Sequence, residues 1–333
     1  MEFKEFFATE NDQDRRLDKI VRKLIHQQNL SQIYSCIRKG LIKVNQKKSS
    51  PDAKIQNGDS IKIPVFLLTE KIENSTEIKT NETQFTKNFE TIYENNDIII
   101  INKPYNILVH GNDTSLDKEI KKYFNTLQNK KASLSFTPGP LHRLDKKTTG
   151  LLTFSLSLAG AKWFSQNIAT HTIKKTYIAI LQGKLEKKEQ WIDFICNEEK
   201  NIEKNFYTVK TNEKETDNSK KAISTVEPIL FGKYKNNDYT LVKVIIQTGR
   251  THQIRAQSAF HHYPLLGDTA YGGIKINESQ DFFLHAIKLN FPEDNPLKIP
   301  QTIKTSIPKK WEDFLNKTSN DKILLNKTLE DII

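Results

Sequence analysis

Cysteine is nearly absent from this chain: of 333 residues only Cys36 and Cys196 are cysteines, and they lie far apart. Two such thiols cannot build a disulfide framework or a cysteine-rich metal site, and they suit a reducing cytoplasm. Long apolar runs are missing too. No stretch approaches the ~20 residues of a membrane span. The N-terminus MEFKEFFATENDQDRR lacks the apolar core and small-residue cleavage site of a secretory signal. The expectation is a cytoplasmic protein with no membrane partner. Phosphate loops of the GxxxxGK[ST] type and the GxSxG turn are also absent, which sets aside two large groups of enzymes.

Positive charge, by contrast, is plentiful. Lys and Arg number 51 against 40 Asp and Glu, a formal net charge of +11. Such an excess points to an anionic partner, although a lysine-rich proteome would raise the pI in the same way. Distribution says more than the total. From Lys19 to Ser50 the basic residues are Lys19, Arg22, Lys23, Arg38, Lys39, Lys43, Lys47 and Lys48, with no acidic residue among them. A neutral surface helix interleaves both signs, so this window suits phosphate contact, with an ordinary solvated lysine face as the alternative.

A chain of this length fits two domains, one small and one large. In the first, Leu17, Ile20, Val21, Leu24 and Ile25 recur at helical spacing. Ser31 is placed to cap a second helix that Gly40 would end. Short apolar runs follow at 41–44 and 61–65. The polar stretch 69–88 reads as a linker. Beyond it, strand-like runs (91–94, 98–101, 149–156, 175–183, 223–231, 239–247, 282–291) mix with helix-like ones (115–128, 157–170, 251–262). That order is not a βαβ alternation and predicts an α+β fold with a mixed, mainly antiparallel sheet. Residues 197–221 read as an exposed loop or hairpin, and 311–333 as one or two surface helices with no chemistry.

Three segments put charged residues beside apolar runs. Asn102-Lys103-Pro104-Tyr105, leading to His110-Gly111, follows the apolar strand, and Pro104 makes this a strand end. His142-Arg143-Leu144-Asp145 opens a loop that runs through Thr149-Gly150 into another strand. A carboxylate beside two cations suits an active-site loop, though a lone loop Asp is more often a cap. Thr248-Gly249-Arg250-Thr251-His252-Gln253-Ile254-Arg255 breaks a strand at Gly249. Thr251 is placed to cap the next helix, with Arg255 one turn in as a candidate bidentate carboxylate partner or an ordinary surface arginine.

Together these segments resemble the RluA-type pseudouridine synthase family. HRLDKKTTGLL matches its HRLD signature, INKPYNILVHG its opening motif, KKTYIAILQG (174–183) its K-x-Y-x-A strand, QTGRTHQIRAQSAFHHYPLLGDTAYGG (247–273) its TGRTHQIR block and FLHAIKLNF (283–291) its closing strand. The first unit resembles the S-four-type RNA-binding module. The likeness runs over roughly 12–310, nearest the RluC branch and then RluD. Ala256-Gln257 and His262 depart from the usual residues, away from catalytic positions. His261-His262 lacks a third ligand at metal spacing and reads as structural or RNA-facing.

The resemblance implies an S-four-like domain at 13–68, a linker at 69–88, a pseudouridine synthase domain at 89–310 and an extension at 311–333. It implies isomerisation of uridines in large-subunit (23S) ribosomal RNA or its precursor by a monomer that needs neither cofactor nor metal. RluD-like sites, a tRNA target and a non-catalytic ribosome-assembly factor are the alternatives. Asp145 would be the catalytic carboxylate, Arg255 its partner and Tyr177 the ring that stacks on uracil and assists proton removal from C5. Arg143 would fill the space the base vacates. Leu284 would supply an apolar wall, and His142, Lys103, Arg250 and His252 further RNA contacts. Arg22, Lys23, Arg38, Lys39, Lys43 and Lys47 would bind RNA through the N-terminal module. A two-carboxylate glycosidase is set aside, since no second carboxylate stands beside Asp145 in its motif.

Overall fold

The computed structural model describes residues 1–25, 28–68, 88–127, 133–201, 206–276 and 282–319, without the side chains of 197–201, 206 and 207. Most of the expected linker (69–87) and the end of the expected extension (320–333) lie outside the described residues.

The first part of the chain runs β1 (Phe3–Phe7), β2 (Arg15–Arg16), α1 (Leu17–Leu24), α2 (Leu30–Arg38), β3 (Lys43–Val44), β4 (Lys47–Lys48), β5 (Lys54–Ile55) and β6 (Ser60–Pro64). β1, β6, β3 and β4 form one sheet in that order. The apolar periodicity explains why the helices pack on it: Leu17, Ile20, Val21, Ile33 and Ile37 are all buried with Ile42, Ile61 and Ile63 in one core. Two details depart from the sequence reading. Asn29, not Ser31, caps α2, accepting from the Gln32 N–H at 2.9 Å while the Gln32 side chain returns a bond. The expected start at residue 13 also leaves out β1, which pairs along β6 from Phe3↔Pro64 to Phe7↔Ser60.

The rest runs β7 (Glu90–Glu94), β8 (Ile98–Lys103), α3 (Leu116–Leu127), β9 (Gly139–Pro140), β10 (Thr149–Ser155), α4 (Leu158–Ala169), β11 (Lys174–Gln182), β12 (Glu189–Asn201), β13 (Phe206–Asn212), β14 (Ser219–Tyr234), β15 (Asn237–Ile246), α5 (Gln253–Phe260), β16 (Leu284–Asn290), β17 (Thr302–Lys304) and α6 (Lys309–Thr318). Eleven strands share one sheet in the order β13-β12-β14-β15-β11-β16-β10-β8-β7, with β17 on β16 and β9 on β10. The fold is α+β with a mixed, mainly antiparallel sheet, as expected. Its one parallel seam among the described pairings joins β10 to β16.

Both faces of the sheet are covered, which is why the strands read as continuous apolar runs. Along β11, Tyr177, Ala179 and Leu181 enter one core while Ile178 and Ile180 enter the other. The stretch 197–221 carries the end of β12, the antiparallel β13 beside it and the start of β14. Helix α6 is more than surface decoration. Trp311 and Leu315 are buried behind β16, with Trp311 edge-on to Phe283 at 5.1 Å.

The two parts touch through Asp12. Its carboxylate is wholly buried and accepts from Ser133 Oγ (2.7 Å), Ser135 Oγ (2.6 Å) and the N–H groups of Leu134 and Ser135 (both 3.0 Å). Burial works against its charge. The bonds from Ser135, Thr9, Ser133 and Leu134 outweigh that and hold the carboxyl below its usual range.

Candidate active site

The parallel seam brings distant segments together. Gly150 of β10 pairs with Ala286 of β16, and Ala286 pairs with Tyr177 of β11. Gly150 has φ +106°, and a Cβ there would fall 2.3 Å from the Ala286 carbonyl oxygen, so only glycine lets the strands meet. The Asp145 loop, which feeds β10, is thereby held beside Tyr177 and Leu284.

These residues line an open cleft of about 720 Å³, with Arg143, Lys175, Arg250, Thr251, His252 and Arg255 among the others. A smaller cleft of about 500 Å³ adjoins it, and Asp145, Arg143, His252 and Arg255 line both. Asp145 therefore stands on the wall between two clefts.

Arg255 is the most constrained side chain in the site. It makes a bidentate pair with Asp268, Nε to Oδ2 at 2.7 Å and Nη2 to Oδ1 at 3.0 Å, and reaches Asp145 Oδ2 through Nη1 at 3.3 Å. The guanidinium lies between the rings of Phe282 and Tyr271, at 4.6 and 4.9 Å. Burial opposes its charge. The bonds and charge of Asp268, with the charge of Asp145, outweigh that, so its proton is held more tightly than usual. Arg255 is thus a bidentate carboxylate partner, but of Asp268; Asp145 receives one further N–H, from Nη1. Asp268 escaped the sequence reading, although it stands in the Gly267-Asp268 pair of the block that carried the resemblance.

Helix α5 does not begin as expected. Thr251 does not cap it. The N-cap is His252, in a left-handed conformation without a side-chain bond. Gln253, in the first turn, instead ties down the turn before the helix, accepting from the Arg250 N–H (3.0 Å) and Thr248 Oγ1 (2.8 Å). That bond fixes the turn from which Arg255 projects.

Of the remaining expected contacts, Tyr177 and Leu284 are buried on the cleft wall, Arg143 is exposed at its edge, and Arg250 donates through Nε to the Lys221 carbonyl at 3.0 Å. His252 bonds Tyr271 Oη at 2.9 Å, and its Nε2 lies 3.9 Å from Asp145 Oδ1. Burial, with the charge of Asp145 adding, pushes the Tyr177 phenol well above its usual range, which keeps the hydroxyl protonated.

Lys103 is not an RNA contact. It is wholly buried and donates to the carbonyls of Thr148 (2.7 Å), Lys146 (2.8 Å) and Pro104 (3.0 Å). Two of those acceptors, Lys146 and Thr148, follow Asp145 in its loop, so Lys103 braces the loop from beneath. Burial lowers its ammonium to about 7 against the pull of Asp145. His142 also has a packing role. Its ring stacks on Phe164 at 6.0 Å, and Nε2 accepts from the Thr153 N–H at 3.1 Å, which puts the proton of the neutral ring on Nδ1. Burial, with the charge of Lys175, lowers its pKa to about 3. His261 stacks on Trp191 at 4.7 Å and bonds Asp193 at 3.0 Å, the structural option for the histidine pair.

On the N-terminal part, Arg22, Lys23, Arg38, Lys39 and Lys47 are exposed and Lys43 is half-buried. No tertiary ion pair is recorded for any of the six among the described residues.

The protein family described as RNA pseudouridylate synthase matches residues 97–260. Ribosomal large subunit pseudouridine synthase C of Buchnera aphidicola subsp. Schizaphis graminum is 28% identical over 312 residues, 86% of this chain and 88% of its own. A tRNA pseudouridine synthase C of Vibrio parahaemolyticus is 32% identical over 247 residues, 71% of this chain and 97% of its own. Among solved structures, human RNA pseudouridylate synthase domain containing 4 has a TM-score of 0.55 at 19% identity, covering 68% of this chain and 92% of that one, a likeness of fold.

Proposed function

The chain belongs to the RNA pseudouridylate synthase family and is an RNA-modifying isomerase; we propose that its substrate is large-subunit ribosomal RNA and that Asp145 carries the chemistry. The target reading rests on extent. The ribosomal relative aligns with 86% of this chain, whereas the tRNA relative, almost wholly covered itself, has no counterpart for over a quarter of it. A tRNA target is the second reading, favoured by the higher identity of that relative, 32% against 28%.

In the proposed reaction the uracil N1–C1′ bond breaks, the base turns, and a C5–C1′ bond forms. The proton lost from C5 is balanced by one gained at N1. Asp145, fixed from below by Lys103 and from the side by Arg255, presents its carboxylate to the sugar. Tyr177 and Leu284 hold the uracil face. Extruding the base costs a few kcal/mol, least where pairing is already distorted, and Arg143 at the cleft edge is placed to occupy the gap. The exposed cations on the N-terminal unit (residues 3–68) contribute phosphate contacts that weaken with salt. We propose in addition that the enzyme acts as a monomer in the cytoplasm, a reducing setting that its two distant cysteines suit.

Mapping pseudouridines in total RNA of wild-type and deletion strains, by carbodiimide adduct stops, tests the target. We expect losses confined to large-subunit ribosomal RNA. Loss only in tRNA would select the second reading.

A further inference from the structure

Among the described residues that line the main cleft, Asp145 is the sole carboxylate, facing Arg143, Lys175, Arg250 and Arg255. Three of these cations are accounted for. Arg255 is held by Asp268 and Asp145, Arg250 donates to the Lys221 carbonyl, and Arg143 is exposed to water. Lys175 differs from all three. Its residue is 8% exposed, yet neither a hydrogen bond nor an ion pair is recorded for its ammonium among the described residues. The ammonium itself stays open to the cleft, and burying the rest of the side chain without a protein acceptor leaves it partly desolvated, at a cost in free energy.

The ammonium has a defined place. Lys175 lies two residues before Tyr177 on β11, on the same face of the strand, and both line the cleft. Nζ lies where a Cβ on Gly249 would come within 3.1 Å of it. A side chain at 249 would crowd the ammonium and cover its approach. The bare turn from Gly249 leads into the N-terminus of α5, where positive backbone potential favours anions.

We propose that Lys175 and the Gly249 turn form a phosphate subsite that seats a phosphodiester of the RNA beside the flipped uridine. A phosphate oxygen supplies the acceptor that the protein does not give the cleft-facing ammonium, and the bond is charge-assisted. The geometry also gives the cleft a division of labour. Asp145, Arg255 and Tyr177 address sugar and base, and Lys175 addresses the backbone. The subsite rests on the reading of the cleft as an RNA site.

Lys175→Met tests it, since methionine keeps length and apolar bulk while removing the charge. Without RNA the variant should melt at a higher temperature than wild type, because a partly desolvated charge with no protein acceptor is gone. Inorganic phosphate should raise the melting temperature of the wild-type protein more than chloride at equal ionic strength, and should not do so for the variant. Lys175→Arg should restore that response. With a modifiable RNA, KM should rise about tenfold and kcat change less than about threefold, the signature of a lost binding contact. An RNA carrying a neutral methylphosphonate at the seated linkage should lose nothing further in the variant. A variant that melts lower and leaves the phosphate response intact makes Lys175 structural and overturns the proposal. A fall in kcat at constant KM overturns it too, by placing Lys175 at the base. If wild type modifies no RNA but phosphate stabilises it through Lys175, the functional reading fails and the anion subsite stands.

Discussion

Two lysines are buried in the catalytic part of the molecule, in opposite ways. Lys103, beneath the Asp145 loop, meets three carbonyl oxygens at 2.7–3.0 Å. Lys175, on the cleft wall, meets none that is recorded. Their surroundings differ in the same way. On the Asp145 side, Arg255, Asp268 and Lys103 answer one another's charges and fix a loop. On the other wall, the Lys175 ammonium faces the cleft with no protein acceptor among the described residues. Burial alone therefore does not tell a structural cation from a functional one; its hydrogen-bond inventory does. The answered side is built to hold a carboxylate still, and the unanswered side is incomplete until a ligand arrives.

The largest test concerns the answered side. Asp145→Asn should lower the rate of tritium release from C5-labelled RNA by at least about a thousandfold, as loss of a central catalytic group does elsewhere. RNA binding and thermal melting should stay close to wild type. Retained turnover would remove Asp145 from the chemistry and dissolve the division between the two walls.

Asp268→Asn should come next. It breaks the bidentate pair of a buried guanidinium, and removing one partner of a buried ion pair costs about 3–5 kcal/mol. Urea unfolding should show that loss, with activity falling as Arg255 shifts. A stability unchanged within about 1 kcal/mol would mean that Asp145 alone suffices to hold Arg255.

Lys103→Met should destabilise the protein by about 2–3 kcal/mol, since the buried Thr148 carbonyl and the part-buried carbonyls of Lys146 and Pro104 lose their donor. The same replacement at Lys175 should raise stability. Opposite signs for one substitution at two buried lysines are the sharpest form of the contrast, and equal signs would erase it.

The smallest effect concerns pH. Burial lowers Lys175 to about 8 from an unfolded value of 10.5. Its charged form therefore costs stability fully below about 8, and the cost is relieved as pH rises toward 10.5. Lys103, lowered to about 7, acts in the same direction. Urea midpoints of the RNA-free protein should thus rise across this window, and the rise should shrink in Lys175→Met. An undiminished rise would assign the titration elsewhere.

Much of this molecule was legible in its residues because the signals were local. Leu17, Ile20 and Val21 repeat with the period of a helix, and the runs at 98–101, 149–156 and 175–183 are too apolar for anything but buried strands. Asp145, Tyr177, Arg255 and Leu284 were visible through the motifs around them. The errors share one cause. Lys103 looked like an RNA contact because a lysine at a strand end usually faces solvent. Thr251 looked like a cap because threonine before a helix usually is one, whereas Gln253 closes the turn from inside. Residues 311–319 looked like a surface helix, but Trp311 and Leu315 bury behind β16.

The sequence by itself determined the elements, their order, the α+β class and the set of residues available for chemistry, since periodicity and motif spacing act within a few residues. Only the tertiary structure decided which of them meet. Asp145 and Arg255 lie 110 positions apart, and a parallel seam at Gly150 and Ala286 brings the Asp145 loop beside Tyr177. It also decided that Asp268 takes two of the Arg255 bonds, and that one buried lysine is satisfied while the other waits. The physical reason is that desolvation and hydrogen-bond satisfaction are properties of a place in the fold, set by whatever the rest of the chain brings there.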